Sequence, residues 1–491
     1  MDTVVHPPSG SVRGTTTGDV SRFLGVPYAA SPAVTGWLEP PGPVEPWAGV
    51  RDALEYGATV PKNPYPWPSS ELLEDAVHTG DNCLNLNVWT PDVTGSAPVF
   101  VWIHGGAFRN GTGSAQWYDG TAFARDGVVC VTINYRLGVY GFVDVDDTPA
   151  NVGLRDQLAA LRWVRDNIAA FGGNPDRVTV GGESAGAMSV AALLSSPLAE
   201  GLFAGAILQS GAGHHALTRE CAQNIGTELA RRLDVPASRA AVAGVPEADL
   251  LAAQADLLRD VQGDVARWGE AARNLMAFEP VIGDDVLPAL PIESIRAGAG
   301  GDVRVLIGTN ADEMRFFMVP SGAVDLVTTP ALSAAVDAYG FADVPAVLDV
   351  LDAYPEGSPG DRLAAVVGDW FFWIPAIRLA EAREQAAPTY VYEFAWPSTA
   401  RDGRLGACHA LEIPFVFDTL DVEDGMRITG TGAPQSIAKD MHAAWVSFVT
   451  DGDPGWSAYQ AEERTVRVFD TEPSTVVDPR PQRRAVWDGV R

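Results

Sequence analysis

The sequence predicts an α/β fold, a mostly parallel central sheet flanked by helices with helical cap insertions. Three observations point there. Strand-like and helix-like stretches alternate through the first half of the chain, the pattern of a parallel sheet with crossover helices. The stretches 99–103 and 128–134 are nearly continuous apolar runs, as in strands covered on both faces. Finally, Gly182-Glu183-Ser184-Ala185-Gly186 sits between a strand-like run at 177–180 and the small-residue run 187–193. That G-x-S-x-G pattern is a sharp strand-to-helix turn that lifts a serine hydroxyl out of the backbone.

Residues 9–60 read as short strands and turns rich in Pro and Gly. Strands are expected at 84–89, 99–103 and 128–134. Apolar residues at Leu154, Leu158, Leu161, Val164 and Ile168 recur every three to four positions, so 154–170 is expected as a helix. Gly172-Gly173-Asn174-Pro175 stops it. Strands follow at 177–180 and 204–209. Residues 215–300 turn Ala-rich and helix-like, with helices expected at 220–233 and 249–259. Strand patterning resumes at 303–307 and 389–394, 320–385 reads as mostly helical, and 440–449 as a helix. With no linker or repeat in view, residues 1–491 are expected as one domain. The helical segments 215–300 and 320–385 would cap one edge of its sheet.

The chain has 491 residues, 46% of them hydrophobic, and a formal net charge of −29 from 34 basic and 63 acidic residues. Lys62 and Lys439 are its only lysines. Such a surface repels phosphate backbones and anionic lipids, so neither nucleic acid nor membrane is expected as a partner. The N-terminal stretch has no basic and apolar leader pattern and no long uncharged apolar run is evident, so the chain is expected in the cytoplasm, as a monomer or weak homo-oligomer. Cys83, Cys130, Cys221 and Cys408 match no zinc or C-x-x-C spacing, and Cys130, inside an apolar strand, reads as an inert core thiol.

A nucleophilic serine needs donors for a developing oxyanion, a base, and a group that orients the base. The donors are expected from His104-Gly105-Gly106-Ala107-Phe108, directly after the buried strand 99–103, and from the N–H of Ala185. His104 reads as a structural hydrogen-bonding residue. The base is one of seven histidines. His6 and His78 lie in N-terminal loops, and His442 on a helix. His214 and His215 follow a strand. His409 stands among small residues in Gly406-Ala407-Cys408-His409-Ala410-Leu411-Glu412. The acid should fall between Ser184 and the histidine, at the end of strand 303–307, where Asp312 and Glu313 are both candidates. Trp102, Trp117, Tyr118, His214, Phe316, Trp370, Phe371 and Trp373 are candidate walls of a substrate pocket, beside Glu183.

Taken together, these segments resemble the type-B carboxylesterase and cholinesterase family of α/β-hydrolases, especially its bacterial para-nitrobenzyl-esterase-like members. The resemblance runs nearly end to end. It is carried by Phe23-Leu24-Gly25-Val26-Pro27-Tyr28-Ala29, Trp37-Leu38-Glu39-Pro40-Pro41, Asp81-Asn82-Cys83-Leu84-Asn85-Leu86-Asn87-Val88-Trp89 and Asn134-Tyr135-Arg136-Leu137-Gly138. It continues in Asn151-Val152-Gly153-Leu154-Arg155-Asp156-Gln157, Phe171-Gly172-Gly173-Asn174-Pro175, Gln209-Ser210-Gly211 and Gly452-Asp453-Pro454. The resemblance implies Glu313 as the acid, His409 as the base, and Gly105, Gly106 and Ala185 as oxyanion donors, with Glu183 assisting electrostatically.

It further implies a serine hydrolase that cleaves small-molecule carboxylic esters through an acyl-enzyme on Ser184, with no metal or organic cofactor. A carbamate or amide hydrolase using the same residues, or a non-catalytic binding protein of cholinesterase type, are the alternatives. A lipase is less in keeping, since no amphipathic lid is evident. Three departures from the family pattern stand out. Val60 occupies the expected place of a disulfide partner for Cys83. Ala410 follows His409 where the family has glycine, and Met314 follows Glu313 where it also has glycine.

Overall fold

The computed structural model describes residues 1–339 and 350–491. Its framework is a sheet of thirteen strands, in the order β1-β2-β3-β5-β7-β6-β8-β9-β10-β11-β12-β13 with β4 beside β2. The strands are β1 (Asp2–Val5), β2 (Ser11–Thr17), β3 (Val20–Pro27), β4 (Val50–Asp52), β5 (Asn85–Thr90), β6 (Ala97–Ile103) and β7 (Val129–Ile133). They continue with β8 (Gly173–Glu183), β9 (Gly205–Gln209), β10 (Arg304–Asn310), β11 (Thr389–Phe394), β12 (Thr465–Phe469) and β13 (Ser474–Val477). From β7 to β12 every neighbouring pair is parallel. The N-terminal strands β1, β2, β3 and β5 join antiparallel, as does β13.

The strand signal is clearest where both faces are covered. On β6, Val99, Val101 and Ile103 enter one core, while Phe100 and Trp102 enter the other. This is the two-residue period of a strand with no wet face. On the first face lie α1 (Val152–Asn167), α2 (Ala185–Ser195) and α3 (Ile374–Ala382), which contribute Leu158, Val190 and Ile377. The second face is covered by α4 (Gln435–Asp451) through Met441, Trp445 and Phe448.

The expected elements recur with shifts of a few residues at their ends. β8 starts at Gly173 instead of 177, because Gly173 pairs with Ala97 across a register irregularity in β6, and the helix expected at 440–449 runs over Gln435–Asp451. β12, β13 and β1 lie outside the sequence reading, since short, partly exposed strands at or next to the rim of the sheet carry little apolar pattern. The expected helices at 220–233 and 249–259 appear as Arg219–Arg232 and Glu247–Gly263. Within 320–385 the described residues are mostly helical, and positions 340–349 lie outside the described residues. Contrary to the sequence reading, one helical run, Pro359–Ala382, is long and apolar enough to cross a membrane by length and composition. In this protein 83% of its apolar window is buried inside the fold.

Buried polar contacts explain why scattered motifs belong together. The Arg136 guanidinium grips Asp156 with Nη2–Oδ1 at 2.6 Å and Nε–Oδ2 at 2.8 Å, both side chains fully buried. Its Nη1 donates to the carbonyls of Trp37 and Glu39. One cation thus ties the N-terminal segment to α1 beside the sheet. Removing one partner of such a pair leaves the other charged and stranded. Asp156→Ala is therefore expected to destabilise the fold by about 3–5 kcal/mol, read as a lowered denaturant midpoint.

Candidate active site

The serine turn is built by close approach. β8 ends at Glu183 and α2 begins at Ala185, leaving Ser184 between them at φ 57° and ψ −125°. A non-glycine residue there is strained. A Cβ on Gly186 would sit 2.0 Å from the Ile103 carbonyl, and one on Gly182 would sit 2.5 Å from the Gly186 backbone. Only glycine lets the turn press against the end of β6.

The loop after β6 closes on the same turn. A Cβ on Gly105 would lie 2.7 Å from Glu183 Oε2 and 3.1 Å from Ser184 Cβ, and Gly106 has φ +116°. Among the described residues, the N–H groups of Gly105, Gly106 and Ala185 donate to no protein acceptor. They are free for a ligand oxygen. His104 is structural, as expected. Its Nδ1 lies 2.8 Å from the Gly105 carbonyl, its ring stacks on Tyr135, and burial lowers its pKa to about 3.

His409 and Glu313 meet although 96 residues apart. The Nδ1–H of His409 donates to Glu313 Oε2 at 2.7 Å, and the His409 N–H donates to the Glu313 carbonyl. Glu313 Oε1 accepts from the Asn310 N–H at 2.9 Å, which pins the carboxylate at the end of β10. Between the two acidic candidates, Asp312 takes a different place: it accepts from the Ala407 N–H and pairs with Arg315.

The other imidazole nitrogen is differently engaged from the simple relay. His409 Nε2 faces Glu183 Oε1 at 3.0 Å, and among the described residues no hydrogen bond joins it to Ser184 Oγ. The physical reason is charge. Burial pulls the imidazolium down, but the Glu183 and Glu313 carboxylates, the Glu313 hydrogen bond and Glu412 outweigh it and raise His409 to about 9. Burial raises the Glu183 carboxyl well above its usual range, opposed by His409 and reinforced by Glu412 and Glu313.

Several neighbours were not singled out from the sequence. Phe372 lies 4.7 Å from the His409 ring and Phe317 5.3 Å, centroid to centroid, alongside the expected Phe316 at 6.1 Å. Glu412 accepts from Gln209 Nε2 and Asn310 Nδ2 behind the site, and Trp445 holds Gln209. The signal for Glu412 was its presence in the same seven-residue stretch as His409. Nothing local marks Phe317 or Phe372 apart from their neighbours.

The remaining pocket candidates scatter. Trp102 is wholly inside an aromatic core with Phe100, Tyr118 and Phe417. Trp117 and Tyr118 border a small recess with Tyr65, Leu72 and Thr112. Trp370 and Phe371 pack beside His215, while His214 is partly exposed. Trp373 lies under the Arg480 guanidinium and lines a groove of about 580 Å³ with Asp312, Glu313 and Arg483.

Residues 1–487 match the carboxylesterase family. The chain belongs to that family. It is 36% identical over 500 residues to the para-nitrobenzyl esterase of Bacillus subtilis (strain 168), covering 98% of this chain and 97% of that one. It is also 36% identical over 494 residues to the phenmedipham hydrolase of Pseudarthrobacter oxydans, with 96% of each chain covered. Among solved structures, a thermophilic PNB esterase superposes with a TM-score of 0.87 at 35% identity, over 99% of this chain and 100% of the other. A carboxylesterase of Geobacillus stearothermophilus gives 0.85 at 35% identity over the same shares. This carboxylesterase-family chain is accordingly an α/β-hydrolase and a carboxylic ester hydrolase.

The departures from the family pattern now have a structural content. Cys83 is a free thiol, buried in the same core as Val60. Met314 leads directly into the helical turn Arg315–Met318. Ala410 stands at φ 65°, a left-handed conformation that a Cβ disfavours by roughly 1–2 kcal/mol. Ala410→Gly should relieve that strain and stabilise this carboxylesterase by about 1 kcal/mol, seen as a higher thermal midpoint.

Proposed function

We propose that Ser184, His409 and Glu313 hydrolyse small-molecule carboxylic esters through an acyl-enzyme. The observation that carries this reading is the His409–Glu313 hydrogen bond of 2.7 Å, lying against the strained turn that presents Ser184. In the proposed cycle Ser184 Oγ attacks the ester carbonyl while His409 Nε2 takes its proton. Nε2 exchanges Glu183 for Oγ, its neighbour on the same turn, to do so. Glu313 orients the imidazole and stabilises its charge. The N–H groups of Gly105, Gly106 and Ala185 hold the oxyanion. His409 then protonates the departing alcohol, and water repeats the sequence on the acyl-enzyme.

Phe316, Phe317 and Phe372 around the imidazole favour aryl or bulky esters. The helical segments at 215–300 and 320–385 are proposed as the cap over this site. They flank it with His215 and Phe371, which pack together at 4.4 Å. The free thiols of Cys83, Cys130, Cys221 and Cys408 support a cytoplasmic setting.

Ser184→Ala is expected to lower p-nitrophenyl acetate turnover by more than about 10⁴-fold while the circular dichroism spectrum is unchanged, and to abolish labelling by a fluorophosphonate probe. Activity above a few hundredths of wild type would remove Ser184 from the role of nucleophile. The base must be unprotonated to act, and its raised pKa keeps the proton on to higher pH. So kcat/KM should fall as pH drops through a value well above 6.5, the ordinary imidazole value. Glu183→Gln removes one of the charges that favour the imidazolium and should move this limb to lower pH. A limb unmoved in the pH–rate profile of that variant contradicts the Glu183–His409 coupling.

A further inference from the structure

Two strand ends meet on one buried carboxyl. Glu412 stands three residues after His409 and is wholly buried. Its Oε1 accepts from Gln209 Nε2 at 2.9 Å, and its Oε2 from Asn310 Nδ2 at 2.6 Å. Gln209 is the last residue of β9 and Asn310 the last of β10. Each of these donors has a second hold on the site. The Gln209 carbonyl accepts from the Ser184 N–H at 2.9 Å. The Asn310 N–H donates to Glu313 Oε1 at 2.9 Å, and Asn310 Nδ2 also reaches the Cys408 carbonyl at 2.7 Å, next to His409. Glu412 is therefore one residue removed from Ser184 and from Glu313, and it shares a stretch of chain with His409.

The directions of these bonds are fixed. Trp445 Nε1–H can only donate, and it donates to Gln209 Oε1 at 2.9 Å. The Gln209 amide must then turn its NH2 to Glu412. The Asn310 NH2 is fixed in the same way, because it faces the Cys408 carbonyl and a carboxyl oxygen. Both amides are buried, so each NH2 needs an acceptor. A carboxylate offers one on each side. A glutamine at this position has the same shape but a single oxygen. Whichever way its amide turned, NH2 would meet NH2 and a buried donor would go unserved.

We propose that Glu412 is a positioning residue that locks the His409 stretch against the ends of β9 and β10, and so holds Ser184, Glu313 and His409 in one alignment. This rests on the catalytic reading above and deepens it. Glu412 acts through Gln209 and Asn310 rather than on the reacting atoms. Its charge alone would act in the opposite sense. Glu412 is one of the carboxyls that raise His409, so removing the charge would free more of the base at neutral pH. A fall in kcat reports position.

The test measures kcat and KM for p-nitrophenyl acetate per active site titrated with the fluorophosphonate probe, so misfolded molecules do not count. Glu412→Gln is expected to lower kcat about tenfold or more, because small misplacements of reacting groups are costly. KM should change by less than about twofold. Adding Gln209→Glu restores every pairing, since the carboxylate now on β9 accepts from Trp445 and from the amide at 412, whose oxygen accepts from Asn310. That double variant should return to within about threefold of wild type. A kcat unmoved by Glu412→Gln, or a fall that the double variant does not recover, overturns the proposal. Glu412→Asp keeps the charge but withdraws both oxygens by one CH₂, and should lower kcat about fivefold. An unmoved kcat there overturns the proposal whether or not the other variants fold. Failure of the catalytic reading shows separately, as turnover that survives Ser184→Ala.

Discussion

The contact between the serine turn and the end of β6 governs the rest of the site. Two glycines allow backbone to meet backbone where any side chain would collide, with Gly186 against the Ile103 carbonyl and Gly182 against Gly186 itself. That closeness brings the glycine loop after β6 up to Ser184 and Glu183. It also fixes where free N–H groups stand relative to the hydroxyl. The cost is a serine backbone held in a strained region. It is offset by the parallel strands on either side, whose side chains are buried on both faces.

Electrostatics supplies the second constraint. Three buried carboxyls, Glu183, Glu313 and Glu412, gather round one imidazole. Glu313 and Glu412 are held by donors from the ends of neighbouring strands, the Asn310 N–H and side chain and the Gln209 side chain. Among the described residues no hydrogen bond reaches Glu183 Oε1, which lies 3.0 Å from His409 Nε2. The concentration of negative charge explains why His409 is raised despite its burial, and why its outer nitrogen turns to Glu183 in the resting arrangement. On the other side of the Phe371–Phe372 pair the balance reverses: Arg491 sits against His215, and burial lowers both His214 and His215 well below the usual imidazole range. The two regions are separated by the rings of Phe371 and Phe372.

Much of this was legible in the chain because it depends on local chemistry. The buried run at 99–103 carries no polar residue, and that at 128–134 is apolar except for Thr132 and Asn134, so β6 and β7 could be read directly. The serine turn was equally plain, since its Gly-x-Ser-x-Gly pattern lies within five residues, with Gly182 pressed against Gly186. Edge strands such as β13 were invisible, because a strand exposed at the rim of a sheet needs no apolar pattern. The start of β8 was misplaced, because Gly173 is recruited by Ala97, a partner distant in sequence.

The sequence by itself determined the sheet's interior, the strained serine, the glycine donors and the small set of acids and histidines from which a relay could be made. Local chemistry suffices for these, because each follows from what one short segment can bury or bend. Which acid faces which histidine, and which nitrogen turns to Glu183, was decided only by the tertiary structure. So were the Phe317 and Phe372 rings on His409 and the contact of Arg491 with His215. These depend on distances between segments tens to hundreds of residues apart, and on burial that sets every local charge. No single segment contains that information.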